Sequence, residues 1–484
     1  MSRFADYIRQ FTRFQRNARL YLVSSALSGI TIGIILVLYN LYLGALGYGA
    51  DFIGLALFAV ALGVGVAIFP AGICVDRFSG KAILIWASAF IGVAGAGQFL
   101  LRQPVPLLVS DFLAGAGGAF VLVINAPYLT RHSTPAERPL LFSFNIVVTL
   151  ATTVIGELLG GALPGWFRAS SWFMAPLPSW LAPFLLQQAE ARSYQFALLL
   201  AGVIAVPSFI PLFMMSNDRP VPASATARVP RRERIPLVRM ICSTLSRVHI
   251  RTILSSPVTI LLLYVTLIGL GRGFFLPYFN LYFVRHLGAS PALFGAIDAA
   301  ANALYAVLTL GAPWLAARFG KINVITITRL IGIPLLLIIG LSSFLPLIAI
   351  LYPLRQGIMD MTSGIFQVFF MEEVPSQHRG LANSGFQAAD QVSGALTTPL
   401  GGLIIAHMGY QPVFIIGAVV YVLAIAMLWL RFRNIERANS MIEGGEDVAQ
   451  RLKEEPQESK RRVVRSDRHY VFTRGRERRN ATTD

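Results

Sequence analysis

Eight ionisable side chains lie inside long apolar stretches of this 484-residue chain: Asp111, Glu157, Arg272, Asp298, Arg329, Arg355, Asp360 and Asp390. A charge at the centre of a lipid bilayer costs roughly 2.5–3.5 kcal/mol, so several unpaired charges would outweigh a typical net stability of about 5–15 kcal/mol. We therefore expect these groups to pair with one another, to become neutral, or to face water in a cavity. Each outcome suits a path for ions or polar molecules.

Two of the carboxylates, Asp360 and Asp390, are the best candidates for reversible protonation. Loss of surrounding water favours a neutral carboxyl group, whereas a neighbouring arginine favours the carboxylate. A conformational change that exchanged these surroundings would bind and release a proton. Arg355 lies five residues before Asp360, about 140° around a helix, so we expect Arg355 to reach a different segment. A purely structural salt bridge stays open as an alternative for each charge.

Polar side chains also follow one face of two of the apolar stretches. One stripe comprises Asn383, Gln387, Asp390, Gly394 and Thr397, and the other comprises Asn145, Thr149, Thr152 and Gly156. Because a polar stripe is costly against lipid, we expect both stripes to face the protein interior. Asp298 and Asn302 share a face of a third stretch. Arg272 lies among three glycines and Pro277, where we expect a weakened helix.

The stretches that carry these residues are long enough to cross a bilayer as α-helices. Hydrophobic residues make up 55% of the chain and charged residues only 13%, against about a quarter charged in soluble proteins. Twelve mostly apolar spans cover residues 19–43, 52–75, 82–101, 104–130, 139–165, 193–215, 257–284, 291–317, 322–344, 346–371, 381–405 and 412–432. The sequence therefore predicts an all-α membrane protein.

The net charge of +17 is distributed unevenly along the chain. If the N-terminus is cytoplasmic, the inward loops and the N-terminal segment carry 20 lysine and arginine residues, whereas the outward loops carry only Arg102, Arg168, Arg192 and Arg285. This asymmetry follows the positive-inside rule and predicts that both termini are cytoplasmic. It also explains the basic charge without a nucleic-acid partner. The excess of arginine over lysine is typical of a GC-rich bacterial genome, so we expect the plasma (inner) membrane.

The chain repeats itself at a shift of about 241 residues. The stretch NLYLGALGYGADFIG begins at Asn40, and the stretch NLYFVRHLGASPALFG begins at Asn280. The same shift places Gly54 on Gly295. Two membrane-embedded halves, with a substrate site where they meet, are a common architecture of transporters.

We therefore divide the chain into five parts. These are a cytoplasmic N-terminal segment (1–18), an N-terminal six-helix bundle (19–216), a cytoplasmic linker (217–256), a C-terminal six-helix bundle (257–432) and a disordered cytoplasmic tail (433–484). The linker is rich in proline and arginine, and the tail is charged and poor in large apolar residues.

The loop after the second span reads GICVDRFSGK from Gly72, and this resembles the signature of the major facilitator superfamily. The second half carries a partial copy in which Arg318 matches and Ala317 replaces the aspartate. The resemblance implies twelve transmembrane helices in two pseudo-symmetric six-helix bundles. It also implies a cytoplasmic gate in which Asp76 is the latch and Gly72, Arg77 and Arg318 take part, with Gly72 letting two helices approach closely.

In this superfamily, spans 1, 2, 4, 5, 7, 8, 10 and 11 line a central cavity. The resemblance therefore implies that seven of the eight embedded charges belong to the substrate and proton pathway, together with Gln387. The exception is Arg329 on span 9, which we expect to extend to the nearby cytoplasmic surface. Many members carry a basic residue where this chain has Asp111, so the proton role of that position does not carry over directly.

We expect a secondary active transporter in which protons drive the efflux of an amphipathic small molecule, as in an antiporter. Two alternatives stay open. One is proton-coupled uptake of a polar or anionic metabolite held by Arg272 and Arg355, and the other is a non-transporting sensor on the same fold. No nucleophile elbow or zinc spacing is present, so we expect no enzyme activity, no cofactor and no metal site. We expect a monomer whose partners are its substrate, protons and membrane lipid.

Overall fold

The structure, a computed structural model, describes residues 14–134, 137–175, 178, 181, 184–216, 257–374 and 379–432. The predicted linker and tail lie outside the described residues, as do the first 13 residues of the predicted N-terminal segment. The division into five parts therefore stays a prediction. The chain forms two compact units, Met1–Leu428 and Trp429–Asp484, and the second unit is described only as far as Phe432.

The described residues form twelve long helices, α1–α12, in the order of the predicted spans. The first half contains α1 (Arg16–Ala45), α2 (Ala50–Arg77), α3 (Gly80–Leu100), α4 (Pro104–Arg131), α5 (Arg138–Ala169) and α6 (Ala189–Met214). The second half contains α7 (Pro257–His286), α8 (Pro291–Phe319), α9 (Lys321–Leu341), α10 (Leu345–Asp360 and Ser363–Glu372), α11 (Arg379–Met408) and α12 (Gln411–Phe432).

Ten of these helices are long and apolar enough to cross a membrane. The other two are α10, which is interrupted at Met361 and Thr362, and α11, which carries one of the predicted polar stripes. The predicted fold class is confirmed: the chain is an all-α membrane protein built from two six-helix bundles.

The two bundles are built alike. In the first, α1 packs on α5 and α2 packs on α4, whereas in the second α7 packs on α11 and α8 packs on α10. Glycines allow the closest approaches: a Cβ atom at Gly33 would overlap the Thr153 carbonyl on α5, and one at Gly273 would overlap the Gly394 carbonyl on α11. Gly273 follows Gly33 by 240 residues and Gly394 follows Thr153 by 241, so the sequence repeat is also a repeat of helix packing.

One extra residue in α7 accounts for the change in this shift. Asn40 and Asn280 are 240 residues apart, whereas Gly47 and Gly288 are 241 apart. Between these points α1 is a regular α-helix, but α7 contains a π-helical turn at Tyr282–His286. A π turn accommodates one additional residue within a helix. Both helices then end alike, because Gly47 and Gly288 have positive φ angles of 96° and 71°.

The two bundles meet at one end of the helices, which we call the Ala50 end after the first residue of α2. There α2 packs on α11, where a Cβ atom at Gly54 would lie 3.0 Å from the Thr398 carbonyl. The equivalent contact joins α5 to α8, where a Cβ atom at Gly161 would lie 2.7 Å from the Pro291 carbonyl. The close contacts between the bundles therefore follow the same twofold pattern as the packing within them.

The opposite end of α2 is called the Arg77 end, and it is packed differently. A Cβ atom at Gly65 or Gly72 would meet no described atom within 4 Å. These faces of α2 therefore lack the close neighbours that Gly54 has at the Ala50 end.

Candidate functional site

A polar cluster joins the two bundles and comprises Glu157, Asp298, Asn302 and Tyr352. We call it the seam cluster. The Asn302 amide on α8 donates a hydrogen bond of 2.8 Å to Oε1 of Glu157 on α5. The Tyr352 hydroxyl on α10 donates a hydrogen bond of 2.8 Å to Oδ1 of Asp298 on α8. The structure thus brings together two predicted pathway residues, Glu157 and Asp298, that lie in different halves of the chain.

The two carboxyl groups of the seam cluster differ in burial. Glu157 is 0% exposed, and its Oε2 atom has no hydrogen-bond partner among the described residues. Its backbone packs against Gly33 of α1 and Gly295 of α8. Asp298 is partly exposed, so it is the less buried carboxyl group of the cluster.

An ion pair joins α7 to α11 in the second bundle. Nη2 of Arg272 donates to Oδ2 of Asp390 at 3.0 Å, and the two side chains are 35% and 27% exposed. The helix is weakened nearby, as predicted, because α7 changes to a 3₁₀ turn at Leu276–Tyr278. A partly exposed pair retains electrostatic attraction while remaining accessible to a bound solute.

A second ion pair joins α9 to α10. Nη1 of Arg329 lies 4.0 Å from Oδ1 of Asp360. The expectation that Arg329 extends to the surface is wrong, since the residue is only 9% exposed. The physical reason lies in α10, whose first segment ends at Asp360 and so leaves this carboxylate beside Arg329.

Arg355 reaches a different helix, as predicted, but its contacts there are with aromatic rings. Its guanidinium carbon lies 5.2 Å from the centroid of the Phe275 ring and 5.7 Å from that of Phe279, both on α7. The residue is 4% exposed, and no carboxylate lies within 4.0 Å of it among the described residues. A desolvated cation–π contact contributes about 2 kcal/mol, so the rings stabilise this buried charge in part.

Asp111 has its hydrogen-bond partners within the first bundle. Its Oδ1 atom accepts hydrogen bonds from the Tyr39 hydroxyl on α1 at 2.5 Å and from the Gln98 amide on α3 at 2.6 Å. The residue is fully buried. Asp111 therefore links three helices of one bundle, unlike Glu157, which links the two bundles.

Members of both predicted polar stripes contact neighbouring helices, as expected for groups that avoid lipid. On α11, the Thr397 hydroxyl donates to the Leu270 carbonyl of α7 at 2.8 Å. On α5, Thr152 packs against α1, where a Cβ atom at Gly29 would overlap its hydroxyl. Gln387 is exposed on α11, three residues before Asp390.

The predicted gate residues lie at the Arg77 end. Arg77 and Arg318 are exposed at the ends of α2 and α8, and Arg318 lies over the Trp314 ring at 5.7 Å. The side chain of Asp76 lies outside the described residues. The close helix approach expected at Gly72 is absent in this conformation, because a Cβ atom there would meet no described atom within 4 Å.

The sequence matches the family model of the Major Facilitator Superfamily over residues 21–352 and 261–473. The chain belongs to the Major Facilitator Superfamily. The family and the fold are those of membrane transporters. Among the described residues of this superfamily member, no group of three or more His, Cys, Asp and Glu side chains is placed to hold a metal ion.

Solved structures of other transporters share this fold at low sequence identity. A bacterial homologue of the human lysosomal transporter Spinster, inward-facing and unoccupied, aligns with a TM-score of 0.65 at 14% identity, covering 86% of this chain and 96% of its own. A D-xylose–proton symporter aligns with a TM-score of 0.63 at 16% identity, covering 86% and 97%. A bacterial homologue of the iron transporter ferroportin, inward-facing, aligns with a TM-score of 0.65 at 15% identity, covering 86% and 98%.

Three polar residues of this superfamily member were missed by the sequence reasoning. The Asn40 amide on α1 donates to the Pro277 carbonyl at 2.7 Å and to the Asn280 side chain at 3.2 Å, both on α7. The signal was available, because Asn40 and Asn280 open the two copies of the repeated stretch. Tyr352 was also missed, although the 241-residue shift makes it the equivalent of Asp111 in the second half.

Proposed function

We propose that this protein is a secondary active transporter that exports an amphipathic small molecule in exchange for protons by alternating access. The observation that carries the proposal is the Arg272–Asp390 ion pair, which lies within a membrane-spanning bundle and is about one third exposed. Charged groups inside a membrane protein mark substrate or ion pathways, because they need water or a partner to offset the cost of leaving bulk water.

Contacts between the bundles support alternating access. The bundles touch at the Ala50 end through Gly54 and Gly161, whereas Gly65 and Gly72 have no described neighbours within 4 Å toward the Arg77 end. With both termini in the cytoplasm, this arrangement corresponds to an inward-open state. The gate residues Gly72, Asp76, Arg77 and Arg318 would then come together when the protein faces outward.

Aromatic side chains beside the ion pair support an amphipathic cargo. The ring centroids of Tyr264 on α7 and Phe366 on α10 are 4.7 Å apart, and those of Phe366 and Phe386 are 6.1 Å apart. Phe386 is one helical turn before Asp390 on α11. Tyr264 and Phe366 are buried, whereas Phe386 is partly exposed, so a cargo with an apolar body and one polar or charged group would contact Phe386 and the ion pair.

The remaining parts of the proposal concern location and partners. The asymmetric distribution of lysine and arginine supports insertion in the plasma (inner) membrane with both termini cytoplasmic. We propose a monomer, and we assign Asp111, Glu157, Arg272, Asp298, Arg355, Asp360, Gln387 and Asp390 to the substrate and proton pathway.

The proposal is tested with purified protein in two steps. A thermal-shift screen of amphipathic compounds identifies one that raises the unfolding temperature, and its flux is then followed in proteoliposomes under an imposed pH gradient. We expect uphill movement of the compound against the direction of proton flow. Binding without flux under any gradient would instead identify a sensor and would contradict the proposal.

Uptake of an anionic metabolite is a second candidate, favoured by Arg272, whose side chain is 35% exposed. Carboxylates and phosphates are natural partners for an arginine. The same proteoliposomes distinguish the two, because an anionic cargo would move in the same direction as protons.

A further inference from the structure

The embedded charges of the second bundle can be matched in pairs. Arg272 pairs with Asp390 at 3.0 Å, and Arg329 lies 4.0 Å from Asp360. Each of these carboxylates therefore has an arginine beside it. Among the embedded arginines, Arg355 then remains to be matched.

Arg355 has an indirect link to Asp298 through Tyr352. Tyr352 lies one helical turn before Arg355 on α10. Its hydroxyl donates a hydrogen bond of 2.8 Å to Oδ1 of Asp298. Asp298 is therefore the embedded carboxyl group tied to the helix turn that carries Arg355.

Glu157 is left without a positive partner. It is 0% exposed, its Oε1 atom accepts a single amide hydrogen bond, and its Oε2 atom has no partner among the described residues. Asp298 lies one helical turn before Asn302, the residue whose amide contacts Glu157. A fourth carboxylate here would be both buried and unmatched, which is the situation that drives a carboxyl group to keep its proton.

The helices around Glu157 bring no positive charge to it among the described residues. α1 contacts it with Gly33, and α8 contacts it with Gly295 and Asn302. α6, which also packs on α5, carries its charged groups Glu190 and Arg192 in its first turn. Arg192 is engaged there by the Phe173 carbonyl, to which it donates at 2.6 Å.

We propose that Glu157 is the residue that binds the coupling proton, and that its protonation holds the contact between α5 and α8 closed. This inference rests on the proposed proton-coupled transport. The step is an acid dissociation only: the O–H bond of the Glu157 carboxyl breaks, and the proton passes to water by way of the partly exposed Asp298. The ionised Glu157 would then be a buried charge without a positive partner in the contact between α5 and α8, and opening that contact would expose it to water.

This proposal relates loss of the proton from Glu157 to the end of the protein that opens. The structure holds the Ala50 end closed with Glu157 neutral, so loss of the proton opens that end. If the Ala50 end is outward, proton release to the cytoplasm would return the loaded transporter to its outward-open state, as exchange of cargo for protons requires.

The experiment follows the opening of the Ala50 end as a function of pH. Spin labels are attached at Gln103→Cys and Ser343→Cys, two exposed positions in different halves, with Cys74 and Cys242 replaced by serine. The distances between the two labels are measured in potassium chloride between about pH 5 and pH 9. This range covers the pH values at which a buried carboxyl group can lose its proton. We expect the native chain to open as the pH rises and the Glu157→Gln variant to stay closed at every pH.

Two further variants make the result specific. Glu372→Gln removes a carboxyl group outside the proposed pathway, whose ion pair with Lys321 lies within one bundle, and we expect it to open like the native chain. Asn302→Ala keeps Glu157 but removes the amide that stabilises its carboxylate, so opening should move to higher pH by about one unit. This variant also tests the inference if Glu157→Gln fails to fold.

The possible outcomes separate the inference from the proposed function. If the native chain and Glu157→Gln open alike, Glu157 is not the proton site, while proton-coupled flux in proteoliposomes can still stand. An opening that follows sodium chloride instead of pH would mean that a sodium ion is bound, and it would overturn the inference. No response of the native chain to pH would overturn it as well.

Discussion

At the scale of single residues, the Arg272–Asp390 pair shows why embedded charges are found in partners. Removing one member leaves the other charge without compensation inside a membrane-spanning bundle. A fully buried pair broken in this way loses about 3–5 kcal/mol. Because both side chains are about one third exposed, water offsets part of that cost.

We predict that Asp390→Asn and Arg272→Gln each destabilise the protein by about 1–3 kcal/mol, less than the loss for a fully buried pair. The double variant should be more stable than either single variant, since it leaves no unmatched charge. Thermal unfolding of purified protein measures all three. Lys321→Ala is the matched control, because its ion pair with Glu372 is exposed and should contribute about 0–1 kcal/mol. An equal effect of Lys321→Ala and Asp390→Asn would contradict the prediction.

Glycine positions give a second prediction at this scale. A Cβ atom at Gly273 would overlap the Gly394 carbonyl, whereas one at Gly65 would meet no described atom within 4 Å. Gly273→Ala should therefore destabilise the protein by about 1–3 kcal/mol, the usual cost of overpacking. Gly65→Ala should be neutral or slightly stabilising, since alanine favours a helix by about 1 kcal/mol. Equal unfolding temperatures of the two variants would contradict this prediction.

The sequence identified the embedded charges but not their partners. A charge in an apolar run is visible from hydropathy alone, whereas its partner depends on how neighbouring helices are rotated and where they break. Arg329 is the clearest case, because the interruption of α10 after Asp360 decides its position. Arg355 was correctly predicted to contact a helix other than its own. Nothing in its own stretch of sequence indicated that its partners are the Phe275 and Phe279 rings.

At the scale of elements, α7 combines a 3₁₀ turn and a π turn within one membrane helix. Such breaks free backbone groups that must be satisfied inside the bilayer. The Pro277 carbonyl finds its donor in Asn40 of the other bundle at 2.7 Å. The irregular part of α7 is therefore tied to α1, and this tie joins the two halves.

We predict that Asn40→Ala weakens the contact between α1 and α7. It leaves the Pro277 carbonyl without its Asn40 donor, which costs about 1–3 kcal/mol. The cost falls on the closed Ala50 end, so the distance between labels at Gln103 and Ser343 should shift toward the open population. Thr31→Ala is a suitable control, since its hydroxyl bonds to Ala201 within the first bundle. A shift of the same size in Thr31→Ala would show that the effect is not specific to the contact between bundles.

The sequence predicted where the helices begin and end more accurately than where they are interrupted. The spans were predicted to within about four residues, because the length and apolarity of a membrane helix are fixed by the bilayer. The weak point of α7 was visible in its glycines and Pro277. The break in α10 at Met361 and Thr362 was not, since neither residue is a helix breaker and the surrounding run is apolar.

At the scale of the whole molecule, the duplicated sequence specifies two like bundles but not which end is closed. The same pattern of glycine contacts joins α2 to α11 and α5 to α8, so the contacts between the bundles follow the repeat. Under the proposed alternating access, either end would close with the same sequence. The fold was therefore predictable, whereas the state of the gate had to come from the structure.

The central claim is that the two bundles open to each side of the membrane in turn. The most direct test measures two label distances in the same preparation, between Gln103 and Ser343 at the Ala50 end and between Arg131 and Asn323 at the Arg77 end, all exposed positions. The account predicts that the two distances change in opposite directions when the pH is raised or when a transported compound is added. Distances that stay fixed under every condition, or that increase together, would contradict it.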